Sequence, residues 1–234
     1  MSIAENLKNI KNQIAEACKN SGRDTDSCSL VAVSKTKPAN QILEAISAGQ
    51  IDFGENYIQE ASLKISEIET FKNAVRWHFI GTLQSNKVAQ VAGRFALIHS
   101  VDRLSLAQTI AKESLKKNCV QDILMQINVG DESSKSGVNL ARAPELFSQI
   151  LEQKNLRICG LMCLPPLVED FNEQRSYFRN LKEFMNKARE KLSHSQSLDF
   201  KILSMGTTHD FVAAIHEGAT HVRIGTAIFG ARDQ

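Results

Sequence analysis

The stretch "SLVAVSKTKPAN" occupies residues 29–40. Leu30, Val31, Ala32 and Val33 form an apolar run that Ser34-Lys35-Thr36-Lys37-Pro38 ends abruptly. A run this short, bounded by polar residues and proline, reads as a buried strand. Side chains alternate along a strand, so Val31, Val33 and Lys35 share one face. If the two valines fill a core, the lysine amine emerges where that core ends.

The same unit recurs along the chain. Apolar runs follow at "IDFG" (51–54), "RWHFIG" (76–81), "FALIHSV" (95–101), "DILMQINV" (122–129), "RICGLMCL" (157–164), "FKILSMG" (200–206) and "HVRIGT" (221–226). Amphipathic stretches such as "ANQILEAISAG" and "SLAQTIAKESLKK" separate them. Eight alternations of strand and helix predict a parallel sheet with helices outside. Eight units favour a closed (β/α)8 barrel, for which 234 residues suffice as one domain, 1–234. An open doubly wound sheet would more naturally place a glycine-rich loop after its first strand, and Lys-Thr-Lys-Pro is not one. An extra helix is expected ahead of the barrel. Ser2 and Glu5 have capping-box spacing, Ile3, Leu7, Ile10, Ile14 and Cys18 recur at helical spacing, and Gly22 is a plausible stop.

Composition narrows the class. The chain is 42% hydrophobic and 23% charged, which suits a soluble domain with a sizeable core. A net charge of +2 with no basic stripe argues against nucleic acid. No apolar run approaches the ~20 residues a membrane span needs. The first twenty residues carry charges throughout, unlike a signal peptide. Five scattered cysteines suggest buried thiols in a reducing, cytoplasmic setting rather than disulfides. Cys159 and Cys163 lie four apart on one strand, about 13 Å, too far to share a metal ion. No long exposed apolar stripe is evident, so a monomer is expected.

In such barrels the reactive groups sit at the C-terminal ends of the strands. "LSMGTTHD" (203–210) follows the seventh strand and "RIGTAIFG" (223–230) ends the eighth. Both place glycine and threonine where a strand hands over to a helix. The loops at these two positions are the usual phosphate site of the barrel, because helix-start N–H groups and hydroxyls bind anions. Arg223 shares strand parity with Gly225 and should point inward, where a buried guanidinium needs an acceptor. A lysine, a phosphate cradle and an arginine in one mouth fit pyridoxal 5′-phosphate (PLP). Its aldehyde would bond Lys35, its phosphate would meet Thr208, Gly225 and Thr226, and Arg223 would face the ring nitrogen.

The motifs "AVSKTKP", "FGENYIQE", "WHFIGTLQSNK", "INVGDESSKSG", "GLMCLPP" and "VRIGTAIFGARD" occur in order. Together, from about residue 29 onward, they resemble the pyridoxal phosphate homeostasis protein family. The resemblance implies a fold like the N-terminal domain of alanine racemase, and PLP held as a Schiff base on Lys35. It implies a role in PLP homeostasis and delivery to PLP-dependent apo-enzymes, with no established catalysis. Position by position, it places Asn56 near the cofactor and Ser204, Gly206 and Thr208 in the first phosphate loop. Gly225 and Thr226 fall in the second loop, Arg223 at the ring nitrogen, and His78 and Met162 on pocket-lining strands. The family usually has Met-Ser after the glycine of "SMG", where this chain has Thr207-Thr208. That leaves local packing open, and His209 reads as a solvated loop residue.

A small amino-acid racemase or lyase is the alternative, and a Schiff-base aldolase for phosphorylated sugars is a third reading. A racemase needs acid–base groups on both faces of the cofactor. Lys35 serves one face. In alanine racemase-type enzymes the other base is a tyrosine from an added C-terminal domain, which this sequence is expected to lack. Arg223 stays protonated and would leave the cofactor a weak electron sink. Lys37 and Lys135 are further candidate lysines near the mouth.

Overall fold

The computed structural model describes residues 2–71, 75–130, 132 and 136–231. Nine strands follow in chain order: β1 (Ser29–Val33), β2 (Asp52–Glu55), β3 (Arg76–Phe79), β4 (Leu97–Val101), β5 (Gln121–Asn128), β6 (Val138–Asn139), β7 (Leu156–Cys163), β8 (Ile202–Ser204) and β9 (His221–Ile224). All pairings are parallel. Strand β4 pairs with β5 and β9 with β1, so eight strands close a ring and β6 hangs on β5 as a two-residue accessory. This is the expected barrel, closed as the eight sequence units require.

The helices are α1 (Ile3–Asn20), α2 (Ala39–Ser47), α3 (Ile58–Glu67), α4 (Val88–Val91), α5 (Leu104–Lys116), α6 (Ala143–Leu151), α7 (Phe171–Arg189), α8 (His194–Asp199), α9 (Phe211–His216) and α10 (Thr226–Phe229). The extra helix α1 starts on the capping box, with Glu5 N donating to Ser2 Oγ and Ser2 N to Glu5 Oε2. Ile3, Leu7, Ile10, Ile14 and Cys18 are buried, as the spacing predicts, and α1 packs on α2, α9 and α10. Gly22, at φ +69°, follows its end.

Strand parity sorts the barrel into two environments. Leu30, Ala32, Phe53, Trp77, Phe79, Ile98, Leu203, Val222 and Ile224 belong to the large apolar core shared with the helices. Leu97, Leu124, Cys159 and Met162 form a separate small cluster inside the ring, with Ile202 packed against it. Asp52, His78, His99, Ser204 and Arg223 are also buried and belong to neither cluster. The ring interior is therefore part oil and part polar.

One irregularity matters for parity. Between β5 and β7 the register slips at Ile123/Leu124, opposite Gly160, whose φ is +153°. A Cβ on Gly160 would lie 1.9 Å from the Ile202 carbonyl oxygen, so only glycine fits. Past the slip Met162 joins the interior cluster while Cys163 joins the outer core. Cys159 and Cys163 therefore face opposite sides as well as lying apart. All five cysteines are free thiols. No helix among the described residues is long and apolar enough to cross a membrane.

Candidate functional site

Lys35 sits one residue beyond β1 and its neighbour, in a turn closed by Lys37 N donating to the Ser34 carbonyl. The third residue of that turn, Thr36, has φ +62°. A β-branched residue rarely enters the left-handed region, at a cost of about 1–3 kcal/mol. Its surroundings hold it there. Buried Lys64, on α3, donates to the Ser34 carbonyl at 2.7 Å, to Glu55 Oε1 at 2.8 Å and to Glu60 Oε1 at 2.5 Å. Ser34 Oγ donates to the same Glu55 oxygen at 2.6 Å, and Thr36 N donates to Glu60 Oε1. The residues on either side of Lys35 are thus fixed from outside the ring. Burial raises the Glu55 pKa against the opposing pull of Lys64, and Glu55 Oε2 has no partner.

Above this turn lies an open cavity of about 290 Å³ at the C-terminal end of the barrel. Its volume is at the low end for small-molecule sites. Lys35, Asn56, Thr208, Arg223, Gly225 and Thr226 all line it, joined by Val33, Lys37, Ile80, Leu164 and Thr207. The structure thus brings together six of the ten residues expected at the site. Thr226 opens α10, a single turn in which Ile228 N and Phe229 N donate back to the Gly225 carbonyl. In the loop after β8, Asp210 Oδ1 accepts from both the N–H and the hydroxyl of Thr207, at 2.6 and 2.9 Å. That engagement turns Thr207 inward on its own loop. Gly206, at φ +92°, allows the loop to press on α9: a Cβ there would come 2.7 Å from Ala214 Cβ. Asn56 Oδ1 is buried and has no hydrogen-bond partner. An orphaned acceptor in a polar cavity fits a site built for a donor-bearing ligand.

Arg223 is 4% exposed. Its Nη1 donates to Ser204 Oγ at 2.6 Å and its Nη2 to the Cys163 carbonyl at 2.8 Å. Three of its five N–H donors remain for the cavity side. Burial draws its pKa below the usual arginine value.

Four expected site residues do not line this cavity. Ser204 is fully buried, and its hydroxyl is engaged with Arg223 and His99. His78 lies deeper in the ring between Asp52 and His99. Met162 packs in the interior apolar cluster. Gly206 shapes its loop without lining the cavity. His209 is exposed at the cavity rim. Lys37 is buried beside Lys35, donating to the Ala231 carbonyl at 2.6 Å. Lys135 lies outside the described residues. Sequence reading missed Asp52, His99, Lys64, Glu55 and Glu60; inward parity from His78 and Gly54 would have flagged Asp52.

Comparison with known proteins identifies the family and the fold. The family model described as alanine racemase, N-terminal domain, matches residues 5–233. A curated relative from Aquifex aeolicus, named pyridoxal phosphate homeostasis protein, is 42% identical over 232 residues, covering 99% of each chain. The chain belongs to the pyridoxal phosphate homeostasis protein family. The relative of that name in Escherichia coli K12 is 41% identical and matched over 99% of this chain and 97% of its own. Among solved structures, PipY of Synechococcus elongatus with PLP bound superposes with a TM-score of 0.84 at 32% identity, covering 98% of this chain and all of that one. The same family member without PLP gives 0.87. D-threonine aldolase from Filomicrobium marinum shares the barrel at 14% identity, which shows the fold alone.

Proposed function

We propose that the protein binds PLP in the cavity at the barrel mouth, with Lys35 as the attachment point, and keeps it as a deliverable store for PLP-dependent apo-enzymes. The observation that carries this reading is the convergence of Lys35, Asn56, Arg223 and the α10 start on one open cavity. Bound there, PLP supplies an aldehyde that condenses reversibly with an amine and absorbs visible light. The chain's own residues do the rest. The turn clamped by Lys64 holds Lys35 at the cavity rim, and Thr208 and Thr226 would hold the phosphate. Arg223, which lines the cavity, would donate to the ring nitrogen and so keep it unprotonated.

A storage role fits better than turnover. Tyr57 is 55% exposed at the start of α3, and Tyr177 lies on α7 beside Glu173. Neither lines the cavity. The described cavity wall thus offers no tyrosine as a second acid–base group to oppose Lys35.

Borohydride reduction of loaded protein followed by peptide mapping tests the attachment. The expected adduct is on Lys35, and Lys35→Ala loses both the adduct and the visible band. An unchanged adduct elsewhere in the chain overturns the assignment. Thr226→Val should weaken PLP by about 1.5–3 kcal/mol while sparing unphosphorylated pyridoxal. Delivery is tested by mixing loaded protein with an apo-transaminase and a trap for free aldehyde. Transaminase activity recovered despite the trap supports protected transfer; activity abolished by the trap reduces the protein to a passive buffer.

A further inference from the structure

A continuous chain of hydrogen bonds runs through the ring interior to Arg223. At the end away from the mouth, Asp52 Oδ1 meets His78 Nε2 at 3.0 Å. His78 Nδ1 meets His99 Nε2 at 2.9 Å. His99 Nδ1 meets Ser204 Oγ at 2.9 Å, and Arg223 Nη1 donates to that same oxygen at 2.6 Å. The members come from β2, β3, β4, β8 and β9, and all five are buried.

With both rings neutral, one arrangement of protons satisfies every link. An ionised Asp52 accepts, so His78 carries its proton on Nε2. Neutral His78 then accepts at Nδ1, so His99 also carries its proton on Nε2. His99 accepts at Nδ1, so the Ser204 hydroxyl proton points at it. Ser204 therefore turns a lone pair toward Arg223. Arg223, a donor that never accepts, requires only that Ser204 present a lone pair, which this arrangement provides. Any other pair of neutral tautomers sets two protons or two lone pairs face to face. The titration behaviour agrees. Burial, the largest cause, pushes the His99 pKa well below its usual value and keeps that ring neutral. Burial alone would raise the Asp52 pKa, but hydrogen bonds from His78 and Arg76 hold it below the usual value. Asp210 and Cys163 also act on Arg223, without a hydrogen bond to its guanidinium. Asp210 bonds Thr207, and burial pushes the Cys163 thiol up to about 12.

We propose that Asp52, His78 and His99 are positioning residues. They form a hydrogen-bond relay of fixed direction that holds Ser204 as an acceptor for Arg223, and so set the orientation of the guanidinium donors at the barrel mouth. The relay ties Arg223 to a carboxylate at the far end of the ring. Neither ring needs to touch the ligand to affect it.

The test has two readouts, and only the second rests on the PLP reading. Nitrogen-15 NMR of the protein without cofactor reports the tautomer of each ring. Both His78 and His99 are expected to be protonated at Nε2, and an Nδ1-protonated His99 in the unaltered protein overturns the relay. Asp52→Leu, which removes the terminal acceptor, should give mixed tautomers at both rings. It should also weaken PLP about tenfold and shift its visible band. Asp52→Asn, which can still accept, should preserve the tautomers. Arg76→Gln, outside the relay, should change neither readout. If Asp52→Leu does not fold, His78→Phe cuts the link between Asp52 and His99 and should give mixed tautomers at His99 and shift the band. Unchanged tautomers in whichever variant folds overturn the relay. Changed tautomers with an unchanged band and affinity overturn the effect on Arg223, without touching the attachment at Lys35.

Discussion

Lys64 and Arg223 are both buried cations within a short reach of the Lys35 turn, and they are balanced in different ways. Lys64, outside the ring, touches two carboxylates directly and spends its remaining proton on the Ser34 carbonyl. Arg223, inside the ring, touches a hydroxyl and a carbonyl, and is linked to Asp52 only through Ser204, His99 and His78. A directly paired ammonium has all its donors occupied and serves as a fastener. A guanidinium balanced at a distance keeps donors free and its charge available to the cavity. The difference explains why one cation sits behind the Lys35 turn and the other faces the mouth.

The comparison breaks most visibly if the outer pair is cut. Removing one partner of a buried ion pair costs about 3–5 kcal/mol. Lys64→Met should therefore lower urea-unfolding stability by about 3 kcal/mol, since Glu55 can relieve part of the loss by taking a proton. Adding Glu55→Gln to that variant should recover at least about 1 kcal/mol. A loss below about 1 kcal/mol in the single variant would show that Lys64 is no fastener.

Acid separates the two regions by sign. His221, beside the relay, has its pKa pushed down to about 4, first by burial and then by His78. A histidine neutral when folded must charge to unfold. The stability it contributes is fully present above pH 6.5 and is lost as pH falls toward 4, up to about 3 kcal/mol. Glu55 acts in the opposite direction. Its folded pKa lies above 4.5, so its contribution is present below that value and is lost as pH rises through the folded pKa. Chemical unfolding across pH 4–7 should show stability rising with pH in the unaltered protein and rising less in His221→Gln. A slope unchanged by that substitution would remove His221 from the account.

Much of this was readable in advance. The eight barrel strands fall within a few residues of the apolar runs, because each is a short buried segment flanked by turn residues and needs only local information. Lys35 and Arg223 were placed by parity, which survives on regular strands. Met162 could not be placed that way, since the slip at Gly160 resets the count within β7. Ser204, expected in the phosphate loop, is the last residue of β8, and its hydroxyl meets His99 and Arg223 on other strands, which the run "FKILSMG" alone does not show. The His78–His99 and Lys64–Glu55 contacts join residues on different elements, which spacing along one element cannot show.

The smallest expected effect sharpens the boundary of the relay. Arg76 makes two bonds to Asp52 at 2.7 Å, but its side chain is 61% exposed. An ion pair in contact with water contributes about 0–1 kcal/mol. Arg76→Gln should cost less than about 1 kcal/mol in unfolding experiments. A larger loss would extend the relay to the surface.

The thiols described earlier give this barrel a ready-made reporter position. Cys18, Cys28, Cys159 and Cys163 are buried, while Cys119 is partly exposed just ahead of β5. Strands here run toward the mouth, so Cys119 stands at the opposite pole from Lys35. A maleimide dye would react there first, with no cysteine replaced. Light absorbed by a yellow ligand at one pole and emitted by a dye at the other would follow loading and unloading in real time, through the length of the ring.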